Sequence, residues 1–138
     1  MKPLLALLLL AATVSAAAPA AERAGDDRLS AEFPRVAGEK GLFVGSIRVC
    51  RGTVAQQVRR VADPGGSPAL QIVFTPAAAE RLRSETAALV GRPMRIRIHG
   101  RTVMAPVVLE EIGGGTVHIS GPPARDLPEM RRAALRRC

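Results

Sequence analysis

Along most of this chain, apolar and polar residues alternate in short runs, and only a few stretches follow a helical period. Leu42 to Val49 reads as a strand with Phe43, Ile47 and Val49 on one face. Thr53 to Ala62 is ambiguous. Val54, Val58 and Val61 would share a helical face, but the β-branched residues and the following Asp63-Pro64-Gly65-Gly66 favour a strand in its second half, entering a hairpin. Ala69 to Phe74 is a clearer strand, with Leu70, Ile72 and Phe74 alternating. From Met94 the pattern repeats, with Met94, Ile96 and Ile98 inward and Arg95, Arg97 and His99 outward. His99-Gly100 is then a two-residue turn into a strand over Arg101 to Ala105, which Pro106 stops or kinks. Val107 to Leu109 is apolar, Gly113-Gly114-Gly115 reads as a flexible turn, and Thr116 to Ser120 as the last strand.

The helices are marked by their ends. The hydroxyl of Thr75 can accept from a first-turn amide, and Pro76 falls at the first helical position, where its missing N–H is not needed. Ala79, Leu82, Thr86, Leu89 and Val90 line one face, opposite Glu80, Arg81, Arg83 and Glu85. Gly91 is placed to end the helix in a left-handed conformation and Pro93 prevents its continuation. In the tail, Asp126-Leu127-Pro128-Glu129 has capping-box spacing. A short basic helix through Met130, Ala134 and Leu135 should follow. These elements make an α+β fold: a mostly antiparallel sheet with one main helix packed on it and a short C-terminal helix.

The N-terminus reads as an export signal. Lys2 is followed by an apolar run over Leu4 to Ala12 and then by small residues that suit signal peptidase. The run is too short for a stable span of about 20 residues. The expected organisation is a signal peptide over 1–21, cleaved within 16–21, a flexible leader over 22–40 rich in Ala, Gly and charge, and a single domain over 41–138. No transmembrane segment remains after cleavage, and the location would be periplasmic or secreted.

Charge narrows the partners. The net charge is +8, and Lys2 and Lys40 are the only lysines, so the excess is arginine. Such a balance suits nucleic acid, anionic surfaces or acidic ligands. An exported chain with no Tyr and no Trp has almost no base-stacking platform, which argues against nucleic acid. The basic tail Arg131, Arg132, Arg136 and Arg137 leaves binding to an anionic envelope surface open as an alternative.

Catalytic chemistry finds little support. No serine sits in a G-x-S-x-G elbow, and the Gly113-Gly114-Gly115 run lacks the Lys and the helix of a phosphate loop. Glu110 and Glu111 are adjacent on an extended run and point apart. His99 and His118 could approach each other if their strands pair, but no third metal ligand is apparent. His99 is therefore expected to be a turn residue without a ligand role, replaceable by Asn at little cost. No enzyme activity, metal or other cofactor is expected. The two cysteines, Cys50 and Cys138, favour one disulfide in an oxidising compartment. Free thiols, or an intermolecular bond through Cys138, are the alternatives.

One stretch is more specific. Ile72-Val73-Phe74-Thr75-Pro76, Thr86, Val90-Gly91-Arg92-Pro93, Ile96-Arg97-Ile98-His99-Gly100-Arg101, Val103, Ala105-Pro106-Val107, Ile112-Gly113-Gly114 and Ile119-Ser120-Gly121 occur in order over Leu70 to Gly121. This stretch resembles the head subdomain of the first periplasmic region of SecD, the accessory subunit of the bacterial preprotein translocase. Thr75, Pro76, Gly91, Gly100, Pro106, Gly113, Gly114 and Gly121 carry the likeness as turn and cap residues. SecD-like sequences usually have Asp where this chain has His99. SecD also continues into membrane helices that couple transport to ion flow, whereas this chain ends at Cys138. The resemblance implies a detached head without the pump, binding extended polypeptide or an envelope protein partner. Arg95, Arg97 and Arg101 on the outward strand faces are the candidate binding residues.

Overall fold

The alternating runs build the antiparallel sheet structure expected, divided between two sheets. The computed structural model describes residues 20–138, so the apolar leader and most of the expected cleavage window lie outside the described residues. In chain order the elements are α1 (Ala20–Glu32), β1 (Leu42–Val44), β2 (Ile47–Val49), β3 (Ala55–Ala62), β4 (Pro68–Phe74), α2 (Pro76–Ala88), β5 (Ile96–Ile98), β6 (Arg101–Met104), β7 (Thr116–Ser120) and α3 (Leu127–Leu135). The class is α+β. One sheet has the order β2-β1-β5-β6 and the other β3-β4-β7. No described helix is long and apolar enough to cross a membrane.

The run from Leu42 to Val49 is two strands, because Gly45, at φ 59°, turns the chain back on itself. The Glu85 carboxylate on α2 locks this turn, accepting from the Ser46 amide and from its hydroxyl at 2.7 Å each. Leu42, Val44, Ile47 and Val49 are buried. Phe43 is half-buried on the opposite face, not with Ile47 and Val49 as expected.

The ambiguous stretch is a strand. β3 pairs with β4 from Ala55 opposite Phe74 to Ala62 opposite Pro68, and β4 pairs in turn with β7. Val58, Leu70, Ile72, Phe74, Val117 and Ile119 put the buried side of this sheet into the common core.

α2 is bounded as its caps foretold. Thr75 accepts from the Ala78 amide, and Gly91 takes φ 80°. Ala78, Leu82 and Thr86 are buried, while Val90 at the end of the expected face is 51% exposed. The Thr86 hydroxyl accepts from the Ile112 amide at 2.9 Å, tying the loop before β7 to the helix.

The largest departure lies ahead of β1. The segment expected as a leader carries α1, which packs on β6, and then an extended stretch along the first sheet. The Val36 amide donates to the Gly100 carbonyl at 2.9 Å. This contact gives Gly100 a second constraint beyond its turn. A Cβ there would sit 2.2 Å from the Val36 oxygen, on a backbone at φ 83°. At Gly91 the backbone is also left-handed, but a Cβ would meet nothing within 4 Å.

Gly91→Ala should therefore cost only the left-handed penalty, about 1–2 kcal/mol. Gly100→Ala should cost clearly more, because the N-terminal segment must also move away. Chemical unfolding of the two variants measures this, and equal losses would contradict the close approach.

Candidate functional site

Arg95, Arg97 and Arg101 project from β5, the residue before it and β6, and each is engaged inside the domain. The Arg95 guanidinium lies 5.3 Å from the centroid of the Phe33 ring and donates to the Pro34 carbonyl and to the Thr102 hydroxyl. Arg97 makes a bidentate ion pair with Glu39, at 2.8 and 3.0 Å, and covers the Phe43 ring at 5.1 Å. Both partners of that pair are 12% exposed, which lifts it above an ordinary surface contact. Arg101 pairs with Asp126, just ahead of α3. Alternation placed these arginines outward correctly, but residues 33–39 lie over that face. Their observed work is to hold the N-terminal segment and the base of α3.

His99 is a turn residue and more. It sits at φ 48°, with Gly100 following at 83°, the pair of left-handed residues that a two-residue hairpin favours. Its Nδ1 accepts from the Gly41 amide at 3.0 Å, and its Nε2 lies 2.9 Å from a Glu129 carboxylate oxygen on α3. Asn would suit the turn but would lose the reach to α3, so His99→Asn is not the neutral change expected. His118 is on β7 in the other sheet, opposite Gln71, so the two histidines are not strand neighbours. The expected capping box does not form either. Asp126 has a helical backbone and makes no cap bond, because its carboxylate serves Arg101, while Glu129 serves His99 and Arg132.

The hydrogen bond from His99 holds the Glu129 carboxyl below its ordinary range; burial works weakly against this, and the Arg132 charge adds to it. A lowered folded-state pKa stabilises the fold above the unfolded value and loses that contribution as acid protonates the group. Thermal melts of the parent and Glu129→Gln should therefore differ at neutral pH. The gap should begin to shrink as the pH falls through the ordinary glutamate range, about 4.3, and close only below the lowered folded-state value. A gap that widens in acid would contradict the assignment.

The far end of α3 is tied covalently. Cys50 and Cys138 form a disulfide, as the cysteine count suggested. Around it the Arg51 amide donates to the Arg136 carbonyl, and the Cys138 amide to the Arg51 carbonyl. Cross-linking residues separated by 88 positions constrains the unfolded chain strongly. Cys138→Ser should cost about 2–5 kcal/mol, read by denaturant unfolding. Labelling of the unreduced, unfolded protein should find no thiol; two labelled thiols would contradict the bridge.

With α3 fixed at both ends, a groove of about 500 Å³ opens between it and β3. Its walls are Arg59, Arg60, Arg131 and Arg132, and Leu70, Leu127 and Pro128 complete the lining. Arg60 lies opposite Leu70 in the strand register, whereas Arg59 pairs with Gln71 and donates to its side chain at 2.9 Å. Beside the groove, β3 has β4 on one side only. Among the described residues, no backbone hydrogen bond joins residues 56–62 to any element other than β4. The β6 edge of the first sheet differs, because α1 packs on β6 and the Val36 amide donates to the Gly100 carbonyl just ahead of it. In the sequence alone Arg131 and Arg132 are only part of a basic tail, and Arg59-Arg60 lies unmarked within the ambiguous stretch before the Asp63 turn. The repeated Arg-Arg doublet was the available signal.

Fold and site together define an α+β domain of two small antiparallel sheets shared by one C-terminal helix, with an open strand edge beside a cationic groove. The family described as SecDF, P1 head subdomain, matches residues 30–131, and the chain belongs to that family. The match takes in residues 30–40, consistent with a domain that begins ahead of residue 41. The translocase subunit SecD of Acidaminococcus fermentans is 27% identical over 130 residues, which are 85% of this chain and 31% of that protein. SecDF of Thermus thermophilus is 33% identical over 70 residues, 51% of this chain and 10% of its own length. A solved structure of "a membrane component SecDF that enhances protein export" superposes with a TM-score of 0.54 at 27% identity, covering 64% of this chain and 41% of that one. This chain spans less than a third of these two translocase subunits.

Proposed function

We propose that this domain acts in the cell envelope, periplasmic or secreted, as a non-catalytic binder of extended polypeptide in protein export. The observation that carries the reading is the open edge of β3, in a chain of the SecDF P1 head family. An edge strand presents unpaired N–H and C=O groups, and an extended guest can satisfy them by adding a strand. Main-chain pairing ignores most of the guest's sequence, which suits a partner whose composition changes along its length. Arg59 and Arg60 on the same strand disfavour pairing between two copies, since like charges would meet. The export role is the one stated for the SecDF membrane component, and it comes to this domain through family membership. The apolar N-terminal run and the disulfide support the location.

Binding of this kind is weak, because ordering a flexible guest offsets much of the contact energy. Titration of the purified protein with a reduced, unfolded model protein tests it, with the folded form as control. Binding of the unfolded form alone, persisting at high salt, is the expected result. No binding to the unfolded form, or equal binding to both, would overturn the reading. Salt-abolished binding would favour the alternative, an anionic surface as partner, which the four arginines of the groove support.

A further inference from the structure

Resting on that reading, we propose that the groove between β3 and α3 makes the domain selective for acidic segments of the extended chain. It would seat a carboxylate among Arg60, Arg131 and their neighbours, and an adjoining apolar side chain against Pro128, above the floor of Leu70 and Leu127.

The argument begins with how the arginines of this domain are used. Arg95, Arg97 and Arg101 have partners inside the fold. In the groove the situation is reversed. Arg60 and Arg131 have no ion pair or side-chain hydrogen bond among the described residues, and Arg59 donates to a neutral amide. Only Arg132 meets a carboxylate, Glu129, in an exposed pair of little strength. No acidic residue lines the groove. Gathering guanidinium groups in one concavity is unfavourable unless an anion joins them, and their planar forks match a carboxylate in bidentate fashion.

The lining explains why the anion should belong to a polypeptide. Leu70 and Leu127, 1% and 5% exposed, form a closed floor, and the exposed Pro128 is the apolar surface the groove offers beside its cationic walls. It also runs beside an open strand edge. On a strand added to β3, alternate side chains point to the side of Arg60 and Leu70, the side that α3 covers. A guest with Asp or Glu at such positions gains charge-assisted contacts that a neutral guest lacks. A lipid headgroup could supply the anion but would leave the strand edge unused.

The test compares acidic, neutral and basic extended peptides of one length against the full protein and two double variants. Arg60→Gln/Arg131→Gln empties the groove of its unpaired charge. Arg28→Gln/Arg81→Gln removes the same charge elsewhere, from α1 and the exposed face of α2. All four positions are exposed, and melting curves check that each variant folds. The acidic peptide should bind the parent roughly tenfold tighter than the neutral one, about 1.4 kcal/mol. That preference should vanish in the groove variant and survive in the control variant. Equal binding of acidic and neutral peptides would overturn the selectivity while leaving polypeptide binding intact. No binding by any peptide would overturn both. Equal loss in the two variants would reduce the effect to net charge. Vesicles rich in phosphatidylglycerol that bind through Arg60 and Arg131 and displace the acidic peptide would assign the groove to lipid instead.

Discussion

Leu127, Met130, Ala133 and Ala134 of α3 are buried against β1 and β5 of one sheet and against β3 and β4 of the other. Neither sheet is large enough to close a core alone, and this short helix is the cover they share. A helix of nine residues has almost no stability of its own in water. It is held instead by its ends: Asp126 on Arg101 and Glu129 on His99 at the start, the disulfide and the Arg51 backbone at the finish. The groove has α3 as one wall, so it exists only while those attachments keep the helix in place.

The same packing explains why two kinds of arginine occur. Where the N-terminal segment and the α3 base lie over the first sheet, guanidinium groups find carboxylates, carbonyls and rings within the fold. Where α3 leaves the edge of β3 open, they find little. Composition alone reports a strongly basic chain. The division between engaged and unengaged arginines comes from which sheet face the N-terminal segment and the base of α3 cover.

Local chemistry made much of the fold legible in the sequence. Thr75, Pro76 and Gly91 delimited α2, His99-Gly100 marked a tight hairpin, the alternation of Thr116 to Ser120 gave β7, and two cysteines gave the bridge. What escaped depends on contacts distant in sequence. The pairing of β1 with β5 and of β4 with β7 divides the strands into two sheets, and no local pattern encodes that division. The Gly45-Ser46 turn was hidden inside an apolar run, and its lock, Glu85, lies 39 residues away. α1 has a weak apolar face and reads as a charged leader. The site suffered most: side-chain alternation sets whether Arg97 points outward, but not that Glu39 waits there. Arg59-Arg60 and Arg131-Arg132 meet only because α3 crosses the second sheet.

The central claim is that the open edge of β3 is where an extended chain is received. Amide hydrogen exchange, followed residue by residue with and without an unfolded protein, reads that edge directly. The account predicts added protection at residues 56–62 of β3, with smaller changes along α3 and none along the covered edge strand β6. Protection confined to β6 or β2, or no change on β3 while the unfolded protein is bound, would contradict it.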